Sequence, residues 1–470
     1  MARTVIVSNR VQVPGERGLR AGGLAVALRD AVRRGGGLWF GWSGAVADDE
    51  TEPHILTSGG VAYVTADLPQ TDYEQYYLAY ANGTLWPLLH YRLGLVQSRR
   101  EAFEAYLRVN ARMAEQLRPL LRPDDLIWVH DYHLIPLGVR LRELGVANRI
   151  GFFLHTPFPS VDVLSALPHY ERLIAAFGAY DLVGFQTEAS TDAFLGCIAA
   201  IPGGERLGSV AFTIHGRRSC AAAFPIGIDA EGFAKLAAHA ENSVETRRLR
   251  DSLAGRQLII GVDRLDYSKG IPQRFEAIED LLTAHPEHRR GFNYLQIAPH
   301  SRAELSQYRT FRRELEALAG RVNGRFAEFD WSPIRYLNKS FSQQSLAGFY
   351  RSARVGLVTP LRDGMNLVAK EFAAAQSPLD PGVLILSRFD GAANELDAAL
   401  LINPIDPAEI AEALHRALAM SLAERQERWQ ALMAANRRNT VEGWRDMFLA
   451  ALGGAASLPP ARLAGSRRGA

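Results

Sequence analysis

The densest group of residues suited to chemistry is the stretch RDGMN, residues 362–366. It follows an apolar run at 355–358, and the pattern predicts a helix from Leu367 with Asn366 as its N-cap. Such a strand-to-helix turn directs backbone N–H groups out of the carboxyl edge of a parallel sheet, where the helix dipole favours an anion. Glu371 lies one turn farther along the same helix face. A solvated surface turn is the alternative, but this density of special residues favours a site for a phosphorylated, hydroxyl-rich ligand.

A second loop, RLDYSKG at residues 264–270, carries two cations between a predicted strand and a helix with Pro272 in its first turn. Arg264 and Lys269 are placed to clamp a diphosphate, although a solvated basic loop is the other interpretation. No Asp-x-Asp sequence occurs in the chain, so we expect the cations, and no metal, to neutralise such a ligand. Arg302 follows a further predicted strand.

The first strand of the chain ends in SNR, residues 8–10, and is followed by Gly22 and Gly23 at the start of a predicted helix. Paired glycines let a phosphate or sugar approach the backbone and the helix N-terminus. The GxGxxG dinucleotide fingerprint is absent, and a tight turn would explain the glycines as well. Arg10 favours a phosphate because guanidinium binds phosphate with two parallel hydrogen bonds.

Aromatic and histidine residues supply further candidates. Tyr77 and Trp86 flank a predicted loop at Asn82–Gly83 and could hold a sugar, although aromatic stripes more often belong to the core. The sequence HDYH, residues 130–133, follows a strand, and its spacing is a weak metal signature. A polar cluster at the mouth of the sheet is favoured, with Asp131 bonding a hydroxyl. His155 ends another strand, and a structural histidine is the alternative at each of these positions.

Composition limits the class of protein. The chain has 470 residues, 47% of them hydrophobic, and a net charge of +2, which favours neither a nucleic-acid nor a membrane surface. Two cysteines are too few for a disulfide framework. The sequence shows neither a signal peptide nor an apolar run long enough to span a bilayer, so we expect a cytoplasmic protein.

Short apolar runs alternate with amphipathic helical patterns along the whole chain. This order predicts an α/β fold with parallel, doubly wound sheets, one in each half. Predicted strands occupy residues 4–8, 126–129, 151–154, 181–185, 258–262, 294–298, 354–358 and 383–387. We expect a hinge near residue 230, which gives domains at 1–230 and 231–452, with the last helix packing back on the first domain. The small, basic stretch 453–470 is predicted to be a disordered tail.

Long motifs in a fixed order give a resemblance to a known family. The segments SNR, AGGL, GLWFGWSG, WVHDYHL, GFFLHTPFP, GFQT, FPIGID, RLDYSKG, IAPHSR and RDGMNLVAKE occur as they do in trehalose-6-phosphate synthases. The resemblance covers roughly residues 3–450. It implies two facing Rossmann-like domains, the GT-B arrangement, with the active site in the interdomain cleft. The implied reaction transfers glucose from a nucleoside-diphosphate glucose to glucose 6-phosphate with retention, without a cofactor.

The family's functional positions carry over residue by residue. The acceptor contacts match Arg10, Tyr77, Asp131 and Arg302, together with Trp86. The glycine pair near the donor phosphates matches Gly22 and Gly23, and the diphosphate clamp matches Arg264 and Lys269. Asp363 matches the residue that holds donor-sugar hydroxyls. The segment around the donor matches Leu367, Val368, Ala369, Lys370 and Glu371, of which Glu371 is the ribose contact.

The remaining correspondences concern selectivity and the nucleotide base. Trp86 and Thr156 match positions that select the α anomer of the acceptor, and His155 matches a histidine near the transferred glucose. Phe341 matches a position beside the base. The candidate catalytic residues are therefore Asp131, His155, Arg264, Lys269 and Asp363.

Three questions stay open at this point. Ser340 replaces a histidine of the family pattern, which leaves UDP-glucose and GDP-glucose both possible as donor. The alternatives to the main function are a pseudo-glycosyltransferase that couples cyclitols and a non-catalytic sugar-phosphate sensor. Retention of Arg10, Tyr77, Asp131 and Arg302 favours glucose 6-phosphate over a cyclitol acceptor. A homo-oligomer is expected, of unspecified size.

Overall fold

The structure, a computed structural model, describes residues 2–15, 28, 32, 36–302, 304–454 and 458. Gly22 and Gly23, and all of the predicted tail except residues 453, 454 and 458, lie outside the described residues. The chain divides into two compact units. Unit 1 comprises Met1–Ile226 and Glu442–Ala470, and unit 2 comprises Gly227–Val441.

Unit 1 contains a ten-stranded sheet in the order β3-β4-β2-β1-β5-β6-β7-β10-β9-β8. The strands are β1 Thr4–Arg10, β2 Leu38–Ala47, β3 His54–Ser58, β4 Val61–Pro69, β5 Leu126–His130, β6 Arg149–Phe153, β7 Leu182–Phe185, β8 Gly204–Leu207, β9 Ala211–Ile214 and β10 Arg217–Ala223. The seven central strands, β4 to β10 in spatial order, pair in parallel, and antiparallel pairs complete the two edges. Strand β1 lies between β2 and β5, so the direction of winding reverses there, which is where α/β sheets bind ligands.

The helices of unit 1 surround this sheet. Those whose bounds lie within the described residues are Gln70–Asp72, Trp86–Leu89, Arg100–Leu117, Leu137–Glu143, Val161–Leu164, Tyr170–Ala175, Glu188–Ala199 and Val441–Leu452. Shorter 3₁₀ segments occupy Leu93–Leu95, Arg118–Leu120, Tyr132–Leu134 and Ala176–Ala179. Residues Tyr73–Leu85 form a π-helix, which replaces the loop that Asn82–Gly83 had suggested. That prediction is wrong because the wide helical turns continue through the glycine.

Unit 2 contains a six-stranded, fully parallel sheet in the order β13-β12-β11-β14-β15-β16. The strands are β11 Gln257–Val262, β12 Phe292–Ile297, β13 Ile334–Leu337, β14 Val355–Val358, β15 Val383–Ser387 and β16 Leu400–Ile402. This is the Rossmann order, with its switch point between β11 and β14. The sheet strands are almost entirely buried, as expected when helices cover both faces.

The helices of unit 2 are Ala230–Ala240, Val244–Leu253, Ile271–Ala284, Ser306–Phe326, Gln343–Ser352, Leu367–Ala375, Pro407–Ala419 and Leu422–Arg438. The 3₁₀ segments are Tyr267–Lys269, Pro286–His288 and Gly391–Asn394. Two apolar clusters, one on each face of the sheet, form the core. The predicted α/β class with parallel sheets is confirmed, and each predicted strand lies within two residues of an observed one at either end. Among the described residues, no helix has both the length and the apolar character required to cross a bilayer.

Candidate active site

In unit 2 the loops that follow β11 and β14 meet at the switch point of the sheet. The backbone N–H of Leu361 donates to Ser268 O at 2.8 Å, which joins the two loops directly. Gly270 has φ +66°, and a Cβ there would lie 2.2 Å from Thr359 O. The residue must therefore be glycine for the loops to approach this closely.

An ion pair between the two loops forms the centre of this region. The ammonium of Lys269 contacts Asp363 Oδ2, and both side chains are nearly buried. Burial disfavours the charged lysine, but the carboxylates of Asp363 and Asp263 outweigh burial and raise the pKa of Lys269 above its ordinary value. Asn366 Nδ2 lies 3.4 Å from Asp363 Oδ2 and 3.5 Å from Asp263 Oδ1. The predicted cation and anion are thus in direct contact.

Asp390 supports the Asp363 turn from the neighbouring loop after β15. The backbone N–H groups of Asn366 and Ala392 donate to Asp390 Oδ1 at 3.0 and 2.9 Å. Asp363 and Asp390 also form a short parallel β-bridge. Burial, with repulsion from Asp363, raises the pKa of Asp390 above its ordinary value. The sequence offered no signal for this residue, because it acts on the turn from a separate loop.

The side chain of Arg274 holds the same two loops together, and this role was not predicted from the sequence. Its side chain is fully buried and forms a 2.8 Å ion pair with Asp263. The guanidinium donates to Thr359 Oγ1 at 2.8 Å, to Lys269 O at 3.0 Å and to Gln296 Oε1 at 3.1 Å. One side chain therefore fixes both loops and the backbone of the clamp lysine. A lone arginine in an amphipathic helix is usually solvated, so the sequence around Arg274 did not indicate that its side chain is buried.

Arg302 braces the loop that carries the predicted clamp. Its Nη1 donates to Asp266 Oδ2 at 2.8 Å and to Tyr308 OH at 2.9 Å. The other oxygen of Asp266 accepts from Ser268 N at 2.9 Å, within the 264–270 loop. Arg302 has φ +48°, a left-handed conformation that is uncommon for a residue with a side chain. The structure thus places this predicted acceptor contact beside the clamp loop of unit 2.

The helix Leu367–Ala375 begins as predicted. Asn366 is its N-cap, and the side-chain oxygen accepts from Val368 N at 3.0 Å, so the predicted start and cap are confirmed. Leu367, Val368 and Ala369 form its first turn, where backbone N–H groups have no partner within the helix. This end of the helix attracts anions.

The next two residues of that helix differ in their surroundings. Lys370 is fully buried, and its ammonium donates to Glu395 Oε2 at 2.8 Å, which ties the helix to the segment after β15. Burial lowers the pKa of Lys370. Glu371 is half-buried, and burial raises its pKa to about 7. Glu371 is therefore the residue of this pair whose charge changes near neutral pH.

Two further predicted donor contacts lie at the margins of unit 2's site. Arg264 is exposed at the tip of the loop after β11. Phe341 packs against the core cluster on one face of the sheet, with its ring edge-on to Phe349 at a centroid distance of 5.3 Å. Phe341 is partly exposed, and its role beside the base stays a prediction.

In unit 1 the carboxyl ends of β5 and β6 bring Asp131 and His155 together. Asp131 Oδ1 accepts from the backbone N–H of His155 at 3.3 Å. Asp131 has φ +73° and ψ 165°, a strained conformation for a non-glycine residue. Strain of this kind concentrates at functional sites, where the surrounding structure holds it in place.

The imidazole of His155 is oriented by two buried partners. Gln186 Oε1 accepts from Ile226 N at 3.0 Å, so its amide nitrogen, 3.3 Å from His155 Nδ1, is the donor. The remaining proton of His155 is then on Nε2, which lies 3.1 Å from His130 Nδ1. Burial lowers the pKa of His155 to about 3, so the ring is neutral at physiological pH. The pKa of His130 is also lowered, by burial and by the neighbouring His155.

Thr156 and Trp86, the residues matched to anomer selection, are both buried. Among the described residues the hydroxyl of Thr156 has no hydrogen-bond partner. A buried hydroxyl without a partner is costly unless a ligand satisfies it. The Trp86 ring lies against His90, with centroids 4.0 Å apart, and against Tyr132 at 5.7 Å.

The π-helix Tyr73–Leu85 positions Tyr77. The Tyr77 ring stacks on His133, at a centroid distance of 5.9 Å, and lies against Trp42 at 5.1 Å. Asn82 Nδ2 donates to Tyr77 O at 2.8 Å, and Tyr132 OH donates to Asn82 Oδ1 at 3.0 Å. The helix is thereby cross-linked to the segment that follows Asp131.

Arg10 lies at the carboxyl end of β1 against the backbone of β2. A Cβ on Gly44, which has φ +91°, would lie 2.4 Å from the Arg10 guanidinium carbon. The glycine therefore leaves the space in which the guanidinium lies. Gly22 and Gly23 belong to the part of the chain that the structure does not describe, so their predicted role stays a prediction.

The whole sequence was compared with known protein families, and residues 3–453 match the profile of glycosyltransferase family 20. The chain belongs to glycosyltransferase family 20. It is accordingly a transferase, and the resemblance drawn from the motifs is confirmed.

Relatives within family 20 match nearly the full chain. The trehalose-6-phosphate synthase of Sinorhizobium fredii is 49% identical over 453 residues, which cover 96% of this chain and 98% of the relative. A solved Burkholderia xenovorans trehalose-phosphate synthase in complex with glucose-6-phosphate has a TM-score of 0.93 and 50% identity, covering 96% of this chain and 100% of that one. A solved Escherichia coli protein bound with UDP-2-fluoro glucose has a TM-score of 0.92 and 45% identity, covering 96% and 99%.

The predicted family 20 residues form two groups in the structure, one in each unit. Unit 1 holds the groups at the ends of β1, β5 and β6, on the π-helix and at the start of the helix Trp86–Leu89, which are Arg10, Tyr77, Trp86, Asp131, His155 and Thr156. Unit 2 holds the groups on the loops after β11, β12, β13 and β14 and on the helix that follows β14, which are Arg264, Lys269, Arg302, Phe341, Asp363 and Leu367–Glu371. Direct contacts join Lys269 to Asp363 and Asp131 to His155.

Proposed function

We propose that this chain transfers glucose from a nucleoside-diphosphate glucose to glucose 6-phosphate, with retention of configuration, and releases trehalose 6-phosphate. The observation that carries the proposal is the match to trehalose-6-phosphate synthases over nearly the whole length of both chains. The named ligands of the solved relatives, glucose-6-phosphate and UDP-2-fluoro glucose, correspond to the acceptor and the donor.

Unit 2 binds the donor in this proposal. Arg264 and Lys269 contact the diphosphate, and the N-terminus of the helix Leu367–Ala375 adds backbone donors. Asp363 bonds hydroxyls of the donor sugar, and Glu371 bonds the ribose. The contact between Lys269 and Asp363 supports this assignment, because it holds the phosphate-binding and sugar-binding groups side by side.

The chemistry depends on charge that develops on the departing nucleotide. As the bond between the anomeric carbon and the phosphate oxygen breaks, the two cations and the helix N-terminus stabilise the new negative charge. The departing phosphate oxygen takes the proton of the acceptor hydroxyl on the same face of the sugar. No protein nucleophile is required, in contrast with retaining glycosidases, which use a pair of carboxylates.

Unit 1 binds the acceptor. Arg10 contacts the phosphate of glucose 6-phosphate, and Tyr77 and Asp131 contact the sugar, with Trp86 and Thr156 selecting the α anomer. Arg302, in unit 2, is assigned to glucose 6-phosphate by family position, and its contact with Asp266 couples it to the clamp loop. The domains we propose are 1–230 for the acceptor and 231–452 for the nucleotide sugar, and we propose a homo-oligomer.

We propose UDP-glucose as the preferred donor, because a solved relative binds a UDP-glucose analogue. The test is an assay with glucose 6-phosphate and, separately, UDP-, GDP- and ADP-glucose, in which nucleoside-diphosphate release is followed and the sugar product is identified. We expect release to require glucose 6-phosphate and to yield trehalose 6-phosphate, fastest with UDP-glucose. Tight binding of glucose 6-phosphate without turnover by any donor would contradict the proposal and favour a sensor or a cyclitol-coupling enzyme.

The clamp is tested with Arg264→Ala. We expect turnover to fall by about 10²- to 10³-fold, the usual loss for one transition-state donor, with no change in melting temperature because the side chain is exposed. Arg313→Ala is the matched control, since Arg313 is an exposed arginine on the helix Ser306–Phe326. Equal turnover in the two variants would rule out the clamp.

A further inference from the structure

A cluster of imidazole and carboxylate groups lies on the surface of unit 2, apart from the residues assigned above. Its members come from the end of one helix and the face of another: His285, Glu287, His288, Glu412 and His415. One ligand atom from each of His285, Glu287 and His415 lies within 4.8 Å of the others. Groups of this kind bind divalent metal ions in proteins.

Two packed helices bring these residues together. The helices Ile271–Ala284 and Pro407–Ala419 contribute to the same core cluster, through side chains that include Leu281 and Leu414. The chain leaves the first helix at His285 and turns through the 3₁₀ segment Pro286–His288, so that three polar side chains, those of His285, Glu287 and His288, follow one another beside the second helix. On that helix, Glu412 and His415 are three residues apart and so share a face. The cluster therefore rests on well-packed elements.

Before the rings reorient, the separations of the polar atoms are already close to those between the ligands of a tetrahedral ion. His285 Nδ1 lies 3.4 Å from Glu287 Oε1, and His415 Nδ1 lies 3.8 Å from the same oxygen. His288 Nε2 lies 2.9 Å from His415 Nδ1. Bonds of about 2.0–2.1 Å to a tetrahedral zinc ion place its ligand atoms about 3.3 Å apart. The three measured separations bracket that value.

Glu412 supplies the outer support that metal-binding histidines normally have. Its Oε1 lies 2.9 Å from Nε2 of His285, so that nitrogen carries the proton and donates to the carboxylate. In the neutral ring, which is the form that binds a metal, Nδ1 of His285 then carries the lone pair on the side of Glu287. A histidine ligand whose second nitrogen donates to a carboxylate is the usual arrangement at zinc sites.

We propose that His285, Glu287, His288 and His415 bind one divalent transition-metal ion of the zinc class. Imidazole ligands select zinc and its neighbours, whereas magnesium and calcium require oxygen ligands. The imidazoles of His285 and His415 stack with centroids 3.8 Å apart. A metal lies in the plane of each ring that binds it, so these partly exposed rings turn apart on binding. The bound ion links the end of the helix Ile271–Ala284 to the helix Pro407–Ala419.

The test is zinc binding by the full-length chain, measured by isothermal titration calorimetry with zinc chloride and by the shift of the melting temperature. We expect one equivalent to bind and the melting temperature to rise. His415→Ala should weaken binding at least tenfold, and Glu412→Gln should weaken it by about tenfold, the loss typical of an outer-shell partner. Magnesium chloride should produce neither heat nor a shift.

His239→Ala is the matched control, because His239 is an exposed histidine on the helix Ala230–Ala240 of the same unit. This variant should bind zinc as the parent chain does. The site is ruled out if the parent binds no zinc, or if binding by His415→Ala equals that of the control. Melting curves without zinc report folding of each variant separately, and glucosyl transfer should be unchanged in all of them.

Discussion

At the scale of single residues, the two loops at the switch point of unit 2 depend on Arg274. Its guanidinium neutralises Asp263 and bonds three further oxygens, all out of contact with water. We expect Arg274→Met to lower the free energy of unfolding by about 3–5 kcal/mol, because the substitution leaves a buried carboxylate without its partner. Urea denaturation of the full chain measures this loss.

The matched control for Arg274 is Arg321→Met. Arg321 pairs with the largely buried Glu279, but the Arg321 side chain is itself 55% exposed, and Arg325 also contacts that carboxylate. We expect this variant to lose less than about 1 kcal/mol. Similar losses in the two variants would show that the buried network contributes little beyond an ordinary surface pair.

Glu371, among the proposed donor-binding residues of unit 2, makes the stability of the folded chain depend on pH. Burial raises its pKa to about 7 from an ordinary value of 4.5, so the folded chain keeps this proton over a range in which the unfolded chain has released it. The contribution of Glu371 to the free energy of unfolding therefore falls as the pH rises from about 4.5 to about 7. We expect Glu371→Gln, which cannot ionise, to gain stability relative to the parent between pH 5 and pH 8, as measured by urea midpoints.

The control for Glu371 is Glu427→Gln, at an exposed position of the helix Leu422–Arg438. Its urea midpoint should follow that of the parent chain at both pH values. If the urea midpoint of Glu371→Gln changed with pH in parallel with that of the parent chain, the carboxyl of Glu371 would titrate as an ordinary exposed one.

At the scale of elements, the π-helix Tyr73–Leu85 determines how unit 1 presents Tyr77. Asn82 joins the Tyr77 carbonyl to the Tyr132 hydroxyl, and it is fully buried. We expect Asn82→Ala to cost about 1–3 kcal/mol, since it removes two buried hydrogen bonds, one to the Tyr77 carbonyl and one from the Tyr132 hydroxyl. The KM for glucose 6-phosphate should rise on the order of tenfold as Tyr77 shifts, with the KM for the donor unchanged.

Tyr80→Phe is the control within the same π-helix. The Tyr80 hydroxyl is buried and has no hydrogen-bond partner among the described residues, so its removal should leave stability and both KM values close to the parent. A rise in both KM values for Asn82→Ala would indicate a general loss of fold rather than displacement of Tyr77.

The elements also differ in how far the sequence could predict them. Helix starts with local signals were predictable, as Asn366 shows, because a capping side chain bonds its own helix. The π-helix was not, because its wide turns are stabilised by contacts between Asn82 and a distant tyrosine. Arg274 was missed for the same reason: its four partners come from separate parts of the chain. Candidate residues at strand ends were predictable, whereas the groups that hold them were not.

At the scale of the whole molecule, the helix Val441–Leu452 completes unit 1 although the chain has passed through all of unit 2 before reaching it. Phe448 stacks on Trp128 of β5 at a centroid distance of 4.6 Å, and Trp444 lies 4.9 Å from the same ring. A Cβ on Gly151 or Gly184 would lie 2.8 Å from the Phe448 ring. The sheet therefore keeps glycine at two positions on β6 and β7 where this helix packs.

This packing predicts that unit 1 loses much of its stability when Phe448 is truncated. We expect Phe448→Ala to lower the free energy of unfolding by about 3–5 kcal/mol, because the residue is fully buried and leaves a cavity above two glycines that cannot fill it. Met447→Ala, at a neighbouring position that is 45% exposed, should change stability by less than about 1 kcal/mol. Thermal and urea unfolding of the full chain measure both variants. Equal changes in the free energy of unfolding would mean that unit 1 is stable without the helix Val441–Leu452. That helix would then add nothing to the fold that holds the acceptor residues.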